Sequence, residues 1–230
     1  MDTDELARLV DHTLLRPEAT ALEIQQVCEE ALSWGCAAVC VNSSRLAEVA
    51  QRLRGSMVAA CAVVGFPLGA ADTATKVAET EYCVAHGASE VDTVLNLGWL
   101  RDRALVRVVE DVAAVRRAAG PGVLLKVIVE SALLSPDEIR EASLLAVQGG
   151  ADFVKTSTGL HAAGGASVEA VRTIRASVPP QVGVKASGGI RSLAGARAML
   201  DAGASRLGLS ATVQVLEQLR AEQSTRDSAP

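Results

Sequence analysis

The chain has 230 residues, enough for one large single-core domain, and 49% of them are hydrophobic, so a sizeable core is available. Aromatic residues make up only 2%, which leaves that core to Ala, Val and Leu. The formal charge of -5 argues against nucleic acid or an anionic membrane as a general partner, yet leaves room for a local cationic pocket and a small anionic ligand.

The acidic start, residues 1–15, lacks the basic stretch and apolar core of a signal peptide, and no charge-free apolar run reaches the length of a membrane span. The first strand is predicted over 11–15. A helix over 21–35 follows and stops at Gly35. The apolar run 37–42 reads as a strand, and 43–53 as a helix opened by a serine cap. Next come a strand over 57–66, a helix over 71–87 closing on Gly87, and a strand over 90–96. The pattern continues with helices over 102–119, 136–149, 167–177, 192–203 and 211–222, and with strands over 123–130, 152–158, 181–187 and 206–210. Gly-Ala or Gly-Cys marks most helix-to-strand turns, a weak repeat of about thirty residues.

Eight short apolar strands alternating with eight helices predict a parallel sheet closed into a single-domain α/β fold, the (β/α)8 or TIM barrel. A doubly wound open sheet is the rival, but it would show fewer strands and a Gly-rich first turn. The barrel is assigned to residues 1–220, and 221–230 to a polar, disordered tail. Five cysteines, at 28, 36, 40, 61 and 83, include no C-x-x-C pair. They read as free, buried thiols of a reducing cytosol, with no zinc site and no metal.

Only four of the 22 basic residues are lysines, and three of those, Lys126, Lys155 and Lys185, stand inside apolar strand runs. An ammonium in an apolar setting loses its proton or gains a partner. Lys155 and Lys185 fall on neighbouring strands of a barrel, about 4.8 Å apart, and both lead into the loops where barrel enzymes place their catalytic groups. One of two facing ammonium groups gives way, so Lys155 is expected as a neutral amine that adds to a carbonyl carbon, with Lys185 as its cationic neighbour. Asp92, on the fourth strand, would move protons through water. The structural alternative is three snorkelling lysines with Asp92 as their ion-pair partner. Lys126 is read as an interior charge paired with Glu130 or Asp92, and Lys76 as a solvated helix residue. His12, His86 and His161 assemble no obvious metal site.

A second motif is ASGGIRS, 186–192, where Gly188 and Gly189 precede a helix start near Ser192. Backbone N–H groups at such a start bind anions, and glycine lets a phosphate approach the chain. GLSAT, 208–212, after the eighth strand, supplies the other half of a phosphate cradle.

Taken in order, DHTLL, VCVN, VVGFPLGA, EVDTVLN, KVIVE, GADFVKTSTG and VGVKASGGIR resemble the 2-deoxyribose-5-phosphate aldolases, from about residue 6 to about residue 220. The resemblance implies a (β/α)8 enzyme that reversibly cleaves 2-deoxy-D-ribose 5-phosphate to D-glyceraldehyde 3-phosphate and acetaldehyde. It implies that Lys155 forms the Schiff base, that Lys185 lowers its pKa, and that Asp92 relays protons. It also implies that Gly159, Gly188, Gly189 and Ser210 hold the phosphate. Members need no metal or organic cofactor, are cytoplasmic, and form dimers or tetramers; they serve deoxynucleoside catabolism.

Some positions depart from the family pattern. Arg16 stands where lysine is frequent, Ala211 where many members carry a second serine, and Leu160 where some have a lysine. The only tyrosine is Tyr82, whereas some members use one at the extreme C-terminus for proton transfer; either a slower enamine proton step or a different proton carrier, Asp92 or water, is expected. Competing readings are a Schiff-base aldolase of the same fold acting on another phosphosugar, and a phosphosugar-binding barrel without catalysis.

Overall fold

A computed structural model of the chain describes residues 1–227. Eight strands close a parallel barrel in sequence order: β1 (Val10–Leu14), β2 (Ala38–Asn42), β3 (Ala59–Val64), β4 (Glu90–Val94), β5 (Leu124–Ile128), β6 (Phe153–Lys155), β7 (Gly183–Ser187) and β8 (Arg206–Leu209), with β8 pairing back onto β1. The helices are α1 (Thr3–Ala7), α2 (Ala21–Trp34), α3 (Leu46–Arg52), α4 (Thr73–Ala85), α5 (Leu97–Arg101), α6 (Leu105–Ala119), α7 (Pro136–Gln148), α8 (Val168–Ser177), α9 (Leu193–Asp201) and α10 (Thr212–Asp227). The predicted (β/α)8 barrel is thus the observed fold.

Strand alternation explains how one apolar run serves two environments. Successive side chains point to opposite faces. Val39 and Val41 of β2, Val127 of β5, Val154 of β6 and Val184 of β7 join the large core between barrel and helices. Their neighbours Ala38, Cys40, Cys61 and Val63 form a much smaller apolar cluster of their own. The charged residues Asp92, Lys126, Lys155 and Lys185 share that second face, and all are buried. The barrel is therefore greasy outside and ionic within.

Local signals place the helices. Thr20 with Glu23, and Ser135 with Glu138 behind Pro136, form capping boxes at α2 and α7. Gly35 ends α2 in the left-handed region at φ 69°.

The structure differs from the sequence expectations at several points. The described residues contain ten α-helices rather than eight, because the five-residue α1 and α5 are too short to show a period. Ser43 does not cap α3: Ser43–Arg45 form a 3-10 turn, and the Ser43 hydroxyl donates to Glu79 instead. Residues 221–227, read as the start of a disordered tail, continue α10; 228–230 lie outside the described residues.

Lys76 is not solvated. It is fully buried, and its Nζ donates to Asp111 Oδ2 at 2.7 Å and to the Val94 carbonyl at 2.9 Å. It ties α4 to α6 and to the end of β4, and its long stem packs under Gly65. No described helix is long and apolar enough to cross a membrane.

Candidate active site

Lys155 is the last residue of β6, and Lys185 lies directly opposite it in register on β7. Asp92, the third residue of β4, reaches both: its Oδ2 accepts from Lys155 Nζ and from Lys185 Nζ, each at 2.7 Å. Its Oδ1 accepts from Lys126 Nζ at 2.8 Å and from the Cys61 thiol at 3.2 Å. One buried carboxylate thus joins three lysine side chains. Burial by itself would raise the Asp92 pKa, but Lys126, Lys155 and Lys185 hold it well below the usual carboxylate range.

The other cations have further partners. Lys185 also donates to Asp11 Oδ2. Burial opposes its charge, yet Asp11 and Asp92 raise its pKa above the ordinary lysine value. Lys126 sits 2.5 Å from Glu90 Oε2 and 3.5 Å from Asp11 Oδ2, and those carboxylates with Asp92 outweigh burial and raise its pKa well above normal. Arg206, opening β8, donates to Asp11 Oδ1 at 2.6 Å and reaches Glu90 Oε1 at 3.3 Å. For Asp11 too, burial is overcome by Lys185, Lys126 and Arg206, and its pKa is lowered.

Of the two expected partners of Lys126, Asp92 is found and Glu130 is not; Glu90 takes its place. Glu130 adopts a left-handed backbone at φ 51° and accepts from the Thr158 N–H and hydroxyl, bracing the loop after Lys155. Asp11, Glu90 and Arg206 were missed as site residues. Period-two spacing signals Glu90, two residues before Asp92, and Asp11, two before Thr13.

Above Lys155 opens a cavity of about 350 Å³ lined by Lys155, Thr13, Ser187 and the loops after β6, β7 and β8. Gly159, Gly188, Gly189 and Ser210 all line it, so the expected phosphate residues converge at the expected end of the barrel. Gly188 has φ 91°, and a Cβ there would come within 2.9 Å of the Cα atoms of Gly159 and Gly165. Only glycine permits that contact between the two loops. Beyond Gly189, Ser192 caps α9 by accepting from the Gly195 N–H. Arg16 and Arg191 stand at the rim. Arg16 is engaged by Glu18 at 2.7 Å and by Glu23. The Ser187 hydroxyl is buried without a protein partner, and Ser187 is among the residues lining the cavity.

Cys40, Cys61 and Asp92 bring ligand atoms within 4.8 Å of one another, as do Asp11, Cys61 and Glu90. Lys126 Nζ already contacts Cys61 and Asp92 of the first set and all three residues of the second, so an ammonium stands where a cation would. The histidines do not converge: His12 of β1 bonds Glu30 at 2.7 Å, His86 caps α4, and His161 lies in the loop after β6.

The chain as a whole has counterparts among known proteins. The family model described as DeoC/LacD family aldolase matches residues 6–211. The chain belongs to that family. It is 48% identical over 221 residues to deoxyribose-phosphate aldolase 1 of Bacillus licheniformis, covering 96% of this chain and 99% of the relative. It is 49% identical to the deoxyribose-phosphate aldolase of Coprothermobacter proteolyticus, covering 95% and 99%. The tetrameric deoxyribose phosphate aldolase of Aeropyrum pernix superimposes with a TM-score of 0.88 at 32% identity, covering 96% of this chain and 93% of that one. Membership of the DeoC/LacD aldolases matches the resemblance read from FVKTSTG and VKASGGIR.

Proposed function

We propose that the chain catalyses reversible aldol cleavage of 2-deoxy-D-ribose 5-phosphate through a Schiff base on Lys155. The observation that carries this reading is the position of Lys155: its amine touches Asp92, and it also lines the cavity that ends in the Gly188–Gly189 turn. The Lys155 amine adds to the C1 aldehyde, and loss of water gives an iminium. A base removes the proton of the C3 hydroxyl. The C2–C3 bond breaks, its electron pair moves into the iminium as an enamine, and C3 leaves as the aldehyde of D-glyceraldehyde 3-phosphate. Protonation of the enamine at C2 and hydrolysis release acetaldehyde and restore the amine.

Asp92 Oδ2 accepts from both Lys155 and Lys185, so it is the atom through which a proton passes between the two amines and water. Lys185, held as an ammonium by Asp11 and Asp92, supplies the positive charge beside Lys155. The phosphate is held by Gly159, Gly188, Gly189 and Ser210 at the start of α9 and beside α10. The partners are a small phosphorylated sugar and acetaldehyde. A homo-oligomer is supported by the tetrameric relative, and a reducing, cytoplasmic location by five free, buried cysteines. A net charge of -5 speaks against nucleic acid as a partner.

The test is direct. Purified protein with 2-deoxy-D-ribose 5-phosphate is expected to release acetaldehyde and D-glyceraldehyde 3-phosphate in equal amounts. Release of dihydroxyacetone phosphate from a ketose phosphate, with no cleavage of the deoxy sugar, would assign a different aldolase reaction.

A further inference from the structure

The barrel interior carries a charge count that singles out one lysine. Its carboxylates, among the described residues, are Asp11 of β1 and Glu90 and Asp92 of β4; its cations are Lys126 of β5, Lys155 of β6, Lys185 of β7 and Arg206 of β8. The remaining titratable groups facing them are the thiols of Cys40 of β2 and Cys61 of β3; burial and Cys40 push the Cys61 thiol well up, whereas its contact with Cys61 lowers that of Cys40. Three carboxylates face four basic groups.

The carboxylates are not shared evenly. Lys126 touches Asp11, Glu90 and Asp92; Lys185 touches Asp11 and Asp92; Arg206 touches Asp11 and Glu90. Lys155 touches Asp92 alone, through an oxygen that Lys185 also uses. Burying an uncompensated charge is costly, so an interior of three carboxylates accommodates three cations more readily than four.

We propose that Lys126, Glu90 and Arg206 are positioning residues for catalysis: with Asp11 they complete a charge-balanced interior from which Lys155 is the cation left over, and this balance sets the pH at which Lys155 becomes nucleophilic. Resting on the Schiff-base reading of Lys155, the proposal extends the site away from the cavity to the middle of β5 and the opening ends of β4 and β8. Glu90 opens β4 and Arg206 opens β8, two residues before Asp92 and beside Lys185 in register. Neither lines the substrate cavity. Their influence is electrostatic, and low local dielectric extends its reach.

The signs follow from the count. Removing the Glu90 charge leaves two carboxylates facing three committed cations, so a protonated Lys155 becomes still less favourable. Removing the charge of Lys126 or Arg206 leaves three carboxylates facing two cations, so a protonated Lys155 completes the balance. Removing Glu90 and Lys126 together restores equality.

The experiment measures the rate of borohydride trapping with acetaldehyde against pH and follows label on the Lys155 peptide. Relative to the unaltered protein, the midpoint is expected to fall by about one pH unit in Glu90→Gln and to rise by about one in Lys126→Met. In the Glu90→Gln/Lys126→Met double variant it is expected to return to its original place. Arg206→Met, at a half-buried position, repeats the upward shift should Lys126→Met fail to fold; Arg206→Lys keeps the charge and the midpoint. No label on the unaltered protein at any pH would overturn the Schiff-base reading and the proposal with it. Label whose midpoint stays put, moves the same way in both single variants, or fails to return in the double variant would overturn the charge balance alone.

Discussion

Lys155 is set apart from the other buried lysines by two contacts of opposite kind, a carboxylate behind it and open space in front. Lys126 and Lys185 are equally buried but do not line the cavity, and each has at least two carboxylates. Replacing Lys155 by Met is therefore expected to lower deoxy-sugar cleavage by at least about 10⁴-fold while leaving the melting transition cooperative. Assay of the variant beside its circular dichroism melt checks both halves. At this scale the sequence was informative where a residue type broke its surroundings: lysine within FVK and VGVK, aspartate within EVDTV. It was misleading for Lys76, because a lysine in a polar helix looks solvated and its partner Asp111 lies 35 residues away. Removing one member of a buried ion pair leaves the other uncompensated, so Lys76→Met should cost about 3–5 kcal/mol in urea denaturation. Lys76→Met/Asp111→Leu should recover most of that loss.

Among the elements, the strands carried the clearest signal, since a period of two separates the Val-rich outer face from the ionic inner one. All eight strands were legible as apolar runs, but their ends were not: β6 spans only Phe153–Lys155, where the run 152–158 suggested more. Beyond Lys155 the backbone leaves the ladder and bonds across to Lys185 and Ser131. The loops are where sequence reasoning is weakest, because loop-to-loop contact depends on closure of the whole barrel. ASGGIR announced a turn, yet only the structure presses Gly188 against Gly159 and Gly165. Gly188→Ala should push these loops apart and lower kcat/KM for 2-deoxy-D-ribose 5-phosphate by about ten- to a hundred-fold. Unphosphorylated 2-deoxyribose should be affected far less. Equal losses for both substrates would place the defect at Lys155 rather than at the phosphate.

For the molecule as a whole, barrel closure brings charges from β1, β4, β5, β7 and β8 into one interior network, a convergence that no local pattern in the chain contains. The fold class was readable because alternation of strand and helix is local; the membership of the network was not, because Asp11 and Lys185 are 174 residues apart. The network also shapes stability against pH. Asp11 and Asp92 titrate below their unfolded value of 3.8. Their contribution is complete above that value and is lost as pH falls through the lower folded values. Lys126 and Lys185 titrate above their unfolded value of 10.5, so their contribution is complete below it and is lost as pH rises through the raised folded values. Urea midpoints are expected to show no change from these four groups between about pH 5 and 9, with acid and alkaline losses outside that window.

The most direct measurement is covalent. Protein incubated with acetaldehyde and borohydride, then digested and mapped by mass, is predicted to carry one ethyl group on the peptide containing Lys155. Label on the Lys126 or Lys185 peptide instead, or unlabelled protein that still cleaves the deoxy sugar, would contradict the account.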